Sequence, residues 1–298
     1  ALREADLVIS GGGSLLQNVT SGRSLYYYLS VIFLARFLDK PVMLYAQGIG
    51  PVCGTFPRWL MRAISQKVSR ITVRDHGSLK ELQSLAVLRP PMEVTADPVL
   101  AIHPVDRGLG RAILTKYKAA GAKPVVGISV REWRGWEGYK KVIAAAAAMI
   151  VRELDARVVF LPMQYPEDVH TAQTIAAMTE ESVIVLGEEY TTSELLSIVG
   201  NLDLLISIRL HGLIFAGVMG VPMVGISYDP KIDRFLDSVG DRPVADLQTV
   251  TVENLMAAVR EKWARREDFP RENEARIAEL RRLASRNAEL ALELIDKK

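Results

Sequence analysis

Short, continuous apolar runs alternate with helix-length amphipathic stretches along most of this chain, and that alternation narrows the fold more than any other feature. The runs at 7–10, 42–46, 71–74, 125–130, 157–161, 183–186, 204–207 and 223–226 are mostly unbroken by polar residues. Strands of a parallel sheet covered by helices on both faces have this pattern, because neither face meets water. The stretches at 25–38, 58–68, 78–85, 139–154, 169–178, 193–199 and 213–219 read as helices. Repeated strand-then-helix order predicts an α/β fold with parallel sheets and right-handed crossovers.

The chain is read as dividing near residues 98–123, a stretch punctuated by Pro90-Pro91, Asp97-Pro98, His103-Pro104 and Gly108, and Gly121 to Pro124 closes a helix read over 111–120. The division predicted is a Rossmann-like domain over 1–105, a linker helix over 106–122 and a second Rossmann-like domain over 123–265, both doubly wound. From 261 onward the chain is rich in both signs of charge. Ile277, Leu280, Ala284, Ala288, Ala291 and Ile295 recur at helical spacing. A long C-terminal helix over 266–298 is therefore expected, returning across the first domain.

The length of 298 residues fits two domains. A net charge of +2 with no basic tail argues against sequence-independent nucleic-acid binding. The single Cys53 has no partner for an internal disulfide, which points to a reducing, cytoplasmic compartment. No apolar run reaches the roughly 20 residues needed to span a bilayer. Position 1 is not Met, and Arg3, Glu4 and Asp6 precede the first apolar run, unlike a signal peptide. The chain is expected to start inside its fold, with further residues before it.

Several strand ends carry polar motifs. Asp6 to Gln17 reads strand, Gly11-Gly12-Gly13, Ser14, helix start. It lacks the Gly-Lys-Ser/Thr of a phosphate-binding loop and the spacing of a dinucleotide fingerprint. The glycines either turn the chain tightly or let backbone N–H groups approach a ligand. Tyr45-Ala-Gln47-Gly48-Ile-Gly50-Pro51 has the same grammar, with Gln47 either binding a sugar hydroxyl or holding the loop. Arg74 at the next strand end could meet a phosphate, and Asp75 is placed to cap a helix. Cys53 has no nearby His to activate it.

The second half carries stronger signals. Arg131 follows the 125–130 run, Gln164 the 157–161 run, Arg209 and His211 the 204–207 run, and Tyr228-Asp229-Pro230-Lys231 the 223–226 run. Open α/β sheets bind ligands beyond strand C-termini. Arg131, Arg209 and Lys231 would line a cationic crevice for a small di- or trianion, the arginines offering bidentate forks. His211 supplies an acid/base group that can change charge near neutral pH. His76, His103 and His170 lack metal-ligand spacing, and no metal is expected.

Ile9 to Gln17, Tyr45 to Pro51, Val73-Arg74-Asp75, Asp97-Pro98 and Ser207-Ile-Arg209-Leu-His211-Gly212, in this order, resemble the polysaccharide pyruvyl transferases. The match is nearest the CsaB type, which pyruvylates cell-wall polymers in bacteria with S-layers. The resemblance runs from about Asp6 to Asp237. It implies a GT-B-like fold, two Rossmann-like domains facing across a cleft. It implies phosphoenolpyruvate as a donor substrate, with no cofactor. The acceptor implied is a β-linked N-acetylmannosamine of a secondary cell-wall polymer precursor, carried on a polyprenyl diphosphate lipid, and the product a 4,6-linked pyruvate ketal. Association with the inner face of the membrane is left open. On this reading Arg131, Arg209, Lys231 and Gln164 bind the donor, and His211 is the acid/base residue. Gly12, Gly13, Gln17, Gln47 and Arg74 face the acceptor. Two other functions fit the residues: a GT-B nucleotide-sugar glycosyltransferase with Arg209 and Lys231 on a diphosphate, and a non-enzymatic two-domain anion binder. No acidic residue is evidently placed to grip a ribose, which counts against the first.

Overall fold

The computed structural model describes residues 2–19 and 22–295, and the chain divides into two units, Ala1–Ile102 with Ala278–Lys298, and His103–Ile277. In the first unit, β1 (Val8–Gly11), α1 (Gly22–Phe37), β2 (Val42–Gln47), α2 (Thr55–Ser65), β3 (Arg70–Val73), α3 (His76–Ser84) and β4 (Met92–Val94) follow in order. The strands form one parallel sheet in the order β1-β2-β3-β4. Because successive strand side chains point to opposite faces, Val42 and Leu44 pack with Leu25, Leu29, Ile32, Met61 and Ile64 from the helices. Full burial of such side chains stabilises the unit by about 1.5–3 kcal/mol each. The sequence reading did not foresee β4: its three half-buried residues, bracketed by prolines, are too few for a periodicity.

The second unit runs α4 (Gly108–Lys116), β5 (Val125–Ser129), α5 (Gly138–Leu154), β6 (Arg157–Phe160), α6 (Glu167–Ala176), β7 (Ile184–Val185), α7 (Thr192–Val199), β8 (Leu204–Ser207), α8 (Leu210–Met219), β9 (Met223–Gly225), α9 (Pro230–Ser238) and α10 (Val252–Ala264). Its sheet is parallel, ordered β7-β6-β5-β8-β9. The chain adds β6 and β7 on one side of β5, then returns to place β8 and β9 on the other. The strand order therefore reverses at β5 and β8, the position where doubly wound sheets open a crevice. The segment 106–122 carries α4, which lies within this unit: Gly110 N donates to Ser197 Oγ of α7 at 2.7 Å. Both units are thus parallel α/β layers, as the alternation predicts, but the doubly wound order expected of both is found only in the second: the described strands of the first run β1-β2-β3-β4 without a reversal.

Helix α11 (Phe269–Ile295) begins in the second unit and ends in the first. The long helix expected over 266–298 is α11, which starts at Phe269 with Pro270 in its first turn, separate from α10, which ends at Ala264. Leu290 and Ala291 of α11 pack on Met43, with Tyr45 and Leu7 beside them, so α11 covers the sheet face that α1–α3 leave open. Its inward stripe also differs from the apolar one. Asn287 is fully buried, accepting from Thr95 Oγ1 at 2.8 Å and donating to Ala96 O at 3.2 Å, whereas Ala288 and Ile295 are exposed. Capping residues that hydropathy does not register start α9 and α10: Asp229 accepts from Lys231 N, and Thr251 and Asn254 form a capping box.

Candidate active site

In the second unit Arg131 and Arg209 follow the C-termini of the central strands β5 and β8, whereas Gln164 follows β6 and Lys231 the edge strand β9. Ser129 of β5 pairs in register with Ser207 of β8, and each is followed two residues later by an arginine, Arg131 and Arg209. The two guanidinium groups therefore flank the point where strand order reverses.

Their environments differ. Arg131 donates from Nη1 to Tyr228 Oη, and its guanidinium carbon lies 4.9 Å from the Trp133 ring and 4.7 Å from the Tyr228 ring. The two rings are 4.5 Å apart between centroids. Aromatic faces and a phenol oxygen orient a cation without neutralising it. No ion pair engages Arg131 among the described residues. Tyr139 Oη donates to the Arg131 carbonyl, and burial pushes that phenol's pKa up, so it stays a donor. Glu132 accepts from Trp133 N and Gly135 N and pairs with Lys140 at 2.7 Å. The hydrogen bond from Lys140 is the largest cause of its lowered carboxyl pKa.

Arg209 is instead paired. Its Nε donates to Asp168 Oδ2 at 3.0 Å and its Nη2 to Asp168 Oδ1. Asp168 is 1% exposed and also accepts from Met163 N at 3.1 Å and Gln164 N at 2.9 Å. A buried carboxylate with four donors is stable only in such company. Asp168 is the residue that sequence reading missed. It stands four residues after Gln164, but nothing local distinguishes it from the exposed Glu167 beside it. Lys231 lies 3.3 Å from Asp229 and 5.2 Å from the Tyr228 ring. Two of the three cations of the expected crevice thus carry a carboxylate of their own. The Gln164 side chain is exposed, in the loop whose N–H groups bind Asp168.

The Ser207–Gly212 segment is shaped locally. Ser207 Oγ accepts from Arg209 N at 3.0 Å and donates to Arg209 O, folding the turn that begins α8. A Cβ on Gly212 would stand 2.6 Å from Ser207 Oγ, so the helix packs against the strand only with glycine there. His211 is exposed on the first turn of α8, its ring centroid 6.4 Å from that of Phe215.

The first unit gathers its candidates into one network. Gly12 and Gly13 adopt φ of +76° and +75°, values that favour glycine. Gly13 O accepts from Gly48 N at 2.9 Å. Arg74 Nη2 donates to Ser14 Oγ at 2.8 Å and Nη1 to Asp97 Oδ2 at 3.2 Å. A Cβ on Gly48 would meet that guanidinium at 2.6 Å. Arg74 thereby ties together the loops after β1, β2 and β3 and the Asp97-Pro98 turn. Gln47 is fully buried and donates from Nε2 to Ser10 O at 3.0 Å, the loop-holding geometry of its two readings. Gln17 Oε1 accepts from Val19 N at 2.8 Å. Asp75 caps α3 by accepting from Ser78 N. No group of three or more His, Cys, Asp or Glu among the described residues is placed to hold a metal. No helix among them is long and apolar enough to cross a membrane.

Two parallel α/β units and a long terminal helix define a GT-B-like protein, and solved structures of that kind share the fold. S. aureus MnaA with UDP is 14% identical, with a TM-score of 0.65 over 92% of this chain and 71% of that one. The UDP-GlcNAc 2-epimerase of Neisseria meningitidis bound to UDP-GlcNAc is 12% identical, at 0.64 over 98% and 76%. Anabaena Alr3699/HepE with UDP is 12% identical, at 0.64 over 99% and 80%. At these identities the likeness is one of fold. No curated protein matches the chain in sequence. The chain belongs to the polysaccharide pyruvyl transferase family, whose sequence pattern matches residues 2–230.

Proposed function

We propose that this protein is a phosphoenolpyruvate-dependent ketal pyruvyltransferase of the CsaB type. It would act on a β-N-acetylmannosamine of a lipid-linked cell-wall precursor. Family membership supports the transferase class. The observation that carries the donor assignment is Arg131, a cation oriented by Trp133 and Tyr228 and in no ion pair among the described residues, at the switch of the sheet. Phosphoenolpyruvate brings a carboxylate and a phosphate. Arg131 meets one. Arg209, whose Nε and Nη2 are held by Asp168, is assigned to the other through its remaining N–H groups, and Lys231 and Gln164 are assigned to the donor with them.

In the proposed reaction C3 of the enol takes a proton and C2 becomes electrophilic. One sugar hydroxyl adds to C2, the C2–O bond to phosphate breaks, and the second hydroxyl closes the ring. Of the two hydroxyl protons, one balances the proton gained at C3 and the other leaves with phosphate. No electron carrier or cofactor is needed. His211 moves these protons, and general acid/base help of this kind is worth about 10²–10⁴ in rate. Gly12, Gly13, Gln17 and Arg74 are assigned to the acceptor, with Gln47 supporting their loop.

The deciding experiment is incubation with phosphoenolpyruvate and a β-N-acetylmannosaminide. A sugar heavier by one pyruvyl ketal, with one phosphate released per sugar, is expected, and no product refutes the reading. His211→Gln should lose kcat while calorimetric donor affinity stays, whereas Arg131→Ala should lose affinity first. The solved structures named above hold UDP or UDP-GlcNAc, so a nucleotide-sugar donor is the second reading. Thermal stabilisation by a uridine diphosphate sugar but not by phosphoenolpyruvate would favour it.

A further inference from the structure

Helix α1 is apolar on two opposite sides. Leu25, Leu29, Ile32 and Ala35 face the core, as expected of a helix covering a sheet. The opposite stripe should then be polar, since a helix hydrophobic all round is ordinarily buried. Yet positions 23, 26, 27, 30, 33, 34 and 37, spaced three and four apart on one face, hold Tyr26, Tyr27, Phe33, Leu34 and Phe37 beside Arg23 and Ser30. Phe37 is 73% exposed and Tyr27 63%.

The neighbouring helix α2 extends this surface. Phe56 and Trp59 are exposed at 59% and 60%, their rings stacked at 5.9 Å, and Phe56 lies 6.3 Å from Tyr26 of α1. Neither helix contains Asp or Glu. Arg23 and Arg62 are exposed on it, and neither is in an ion pair among the described residues.

We propose that this face of α1 and α2 docks on an anionic lipid bilayer. Trp, Tyr and Phe with flanking arginines match the membrane interface, where rings enter the headgroup region and cations meet lipid phosphates. Charge selects this occupant over a second copy, because an interface between copies would bring two acid-free, arginine-bearing faces together. The inference goes beyond the transfer reaction and does not need it, since docking is read without donor or acceptor.

The test is flotation with phosphatidylcholine vesicles made with and without phosphatidylglycerol. The protein should float with the anionic vesicles and release as salt is raised. Phe33→Ser/Phe37→Ser should weaken partition about tenfold or more. Arg23→Gln/Arg62→Gln should weaken it on anionic vesicles and remove its salt dependence. These side chains are exposed, so the melting temperature should hold. If the phenylalanine variant does not fold, Trp59→Ser on the other helix takes its place. Absence of flotation, or flotation unchanged in the phenylalanine variant, overturns the proposal. A dimer in sedimentation that the same variant dissolves, with no flotation, assigns the face to a second copy instead.

Discussion

Asp168→Ala tests how the Ser207–Gly212 segment is held. The carboxylate is 1% exposed and engages Arg209 through Nε and Nη2, together with two backbone N–H groups. Removing one partner of a buried pair leaves the other charge without compensation, at about 3–5 kcal/mol. The N–H groups of Met163 and Gln164 lose their acceptor as well, which keeps the expected cost near the middle of that range, about 4 kcal/mol. For domains of this size that corresponds to a fall in Tm on the order of 8–16 °C. Arg209→Ala should cost a comparable amount, since it leaves Asp168 buried with only its two backbone donors. The double variant should lie close to either single one, because the second substitution removes a group already stranded. Urea unfolding of the four proteins, followed by circular dichroism, measures this cycle. Losses below about 0.5 kcal/mol in each single variant, the range of surface ion pairs, would refute the buried-pair reasoning. Strict additivity in the double variant would refute the coupling.

Asn287→Ala should destabilise the first unit by about 1–3 kcal/mol, because Thr95 Oγ1 and Ala96 O lose a buried partner; urea unfolding reads it. Gly110→Ala should cost about 1–3 kcal/mol or more, since its Cβ would stand 2.2 Å from the Ser197 backbone where α4 meets α7. Thermal melts should show this loss with the secondary structure intact. Glu132 has a lowered pKa in the folded protein, so its contribution is present above the ordinary glutamate range and lost as pH falls through the depressed value. Wild type should therefore melt above Glu132→Gln at neutral pH, and the two curves should converge in acid; a constant gap across pH would contradict the assignment.

How much of this was legible beforehand depends on the range of the interaction. Alternating apolar runs and helical stretches are local consequences of side-chain periodicity, so the parallel α/β class and eight of the strands could be read directly. The position of Arg131, Arg209 and His211 after strand C-termini was equally local. Strand order was not local, nor was partner choice. Asp168 and Arg209 are 41 residues apart, Arg131 and Tyr228 97, and Thr95 and Asn287 192. The order β7-β6-β5-β8-β9 brings the first two pairs together, and the return of α11 brings the third. The sequence by itself determined which residue types end the strands. Tertiary structure decided which of those cations is neutralised and which stays available, because pairing in a low-dielectric interior depends on which strands are neighbours. It also decided that Tyr27, Phe33 and Phe37 on the outer face of α1 stay exposed among the described residues, since an apolar stripe reads the same whether the fold covers it or leaves it exposed.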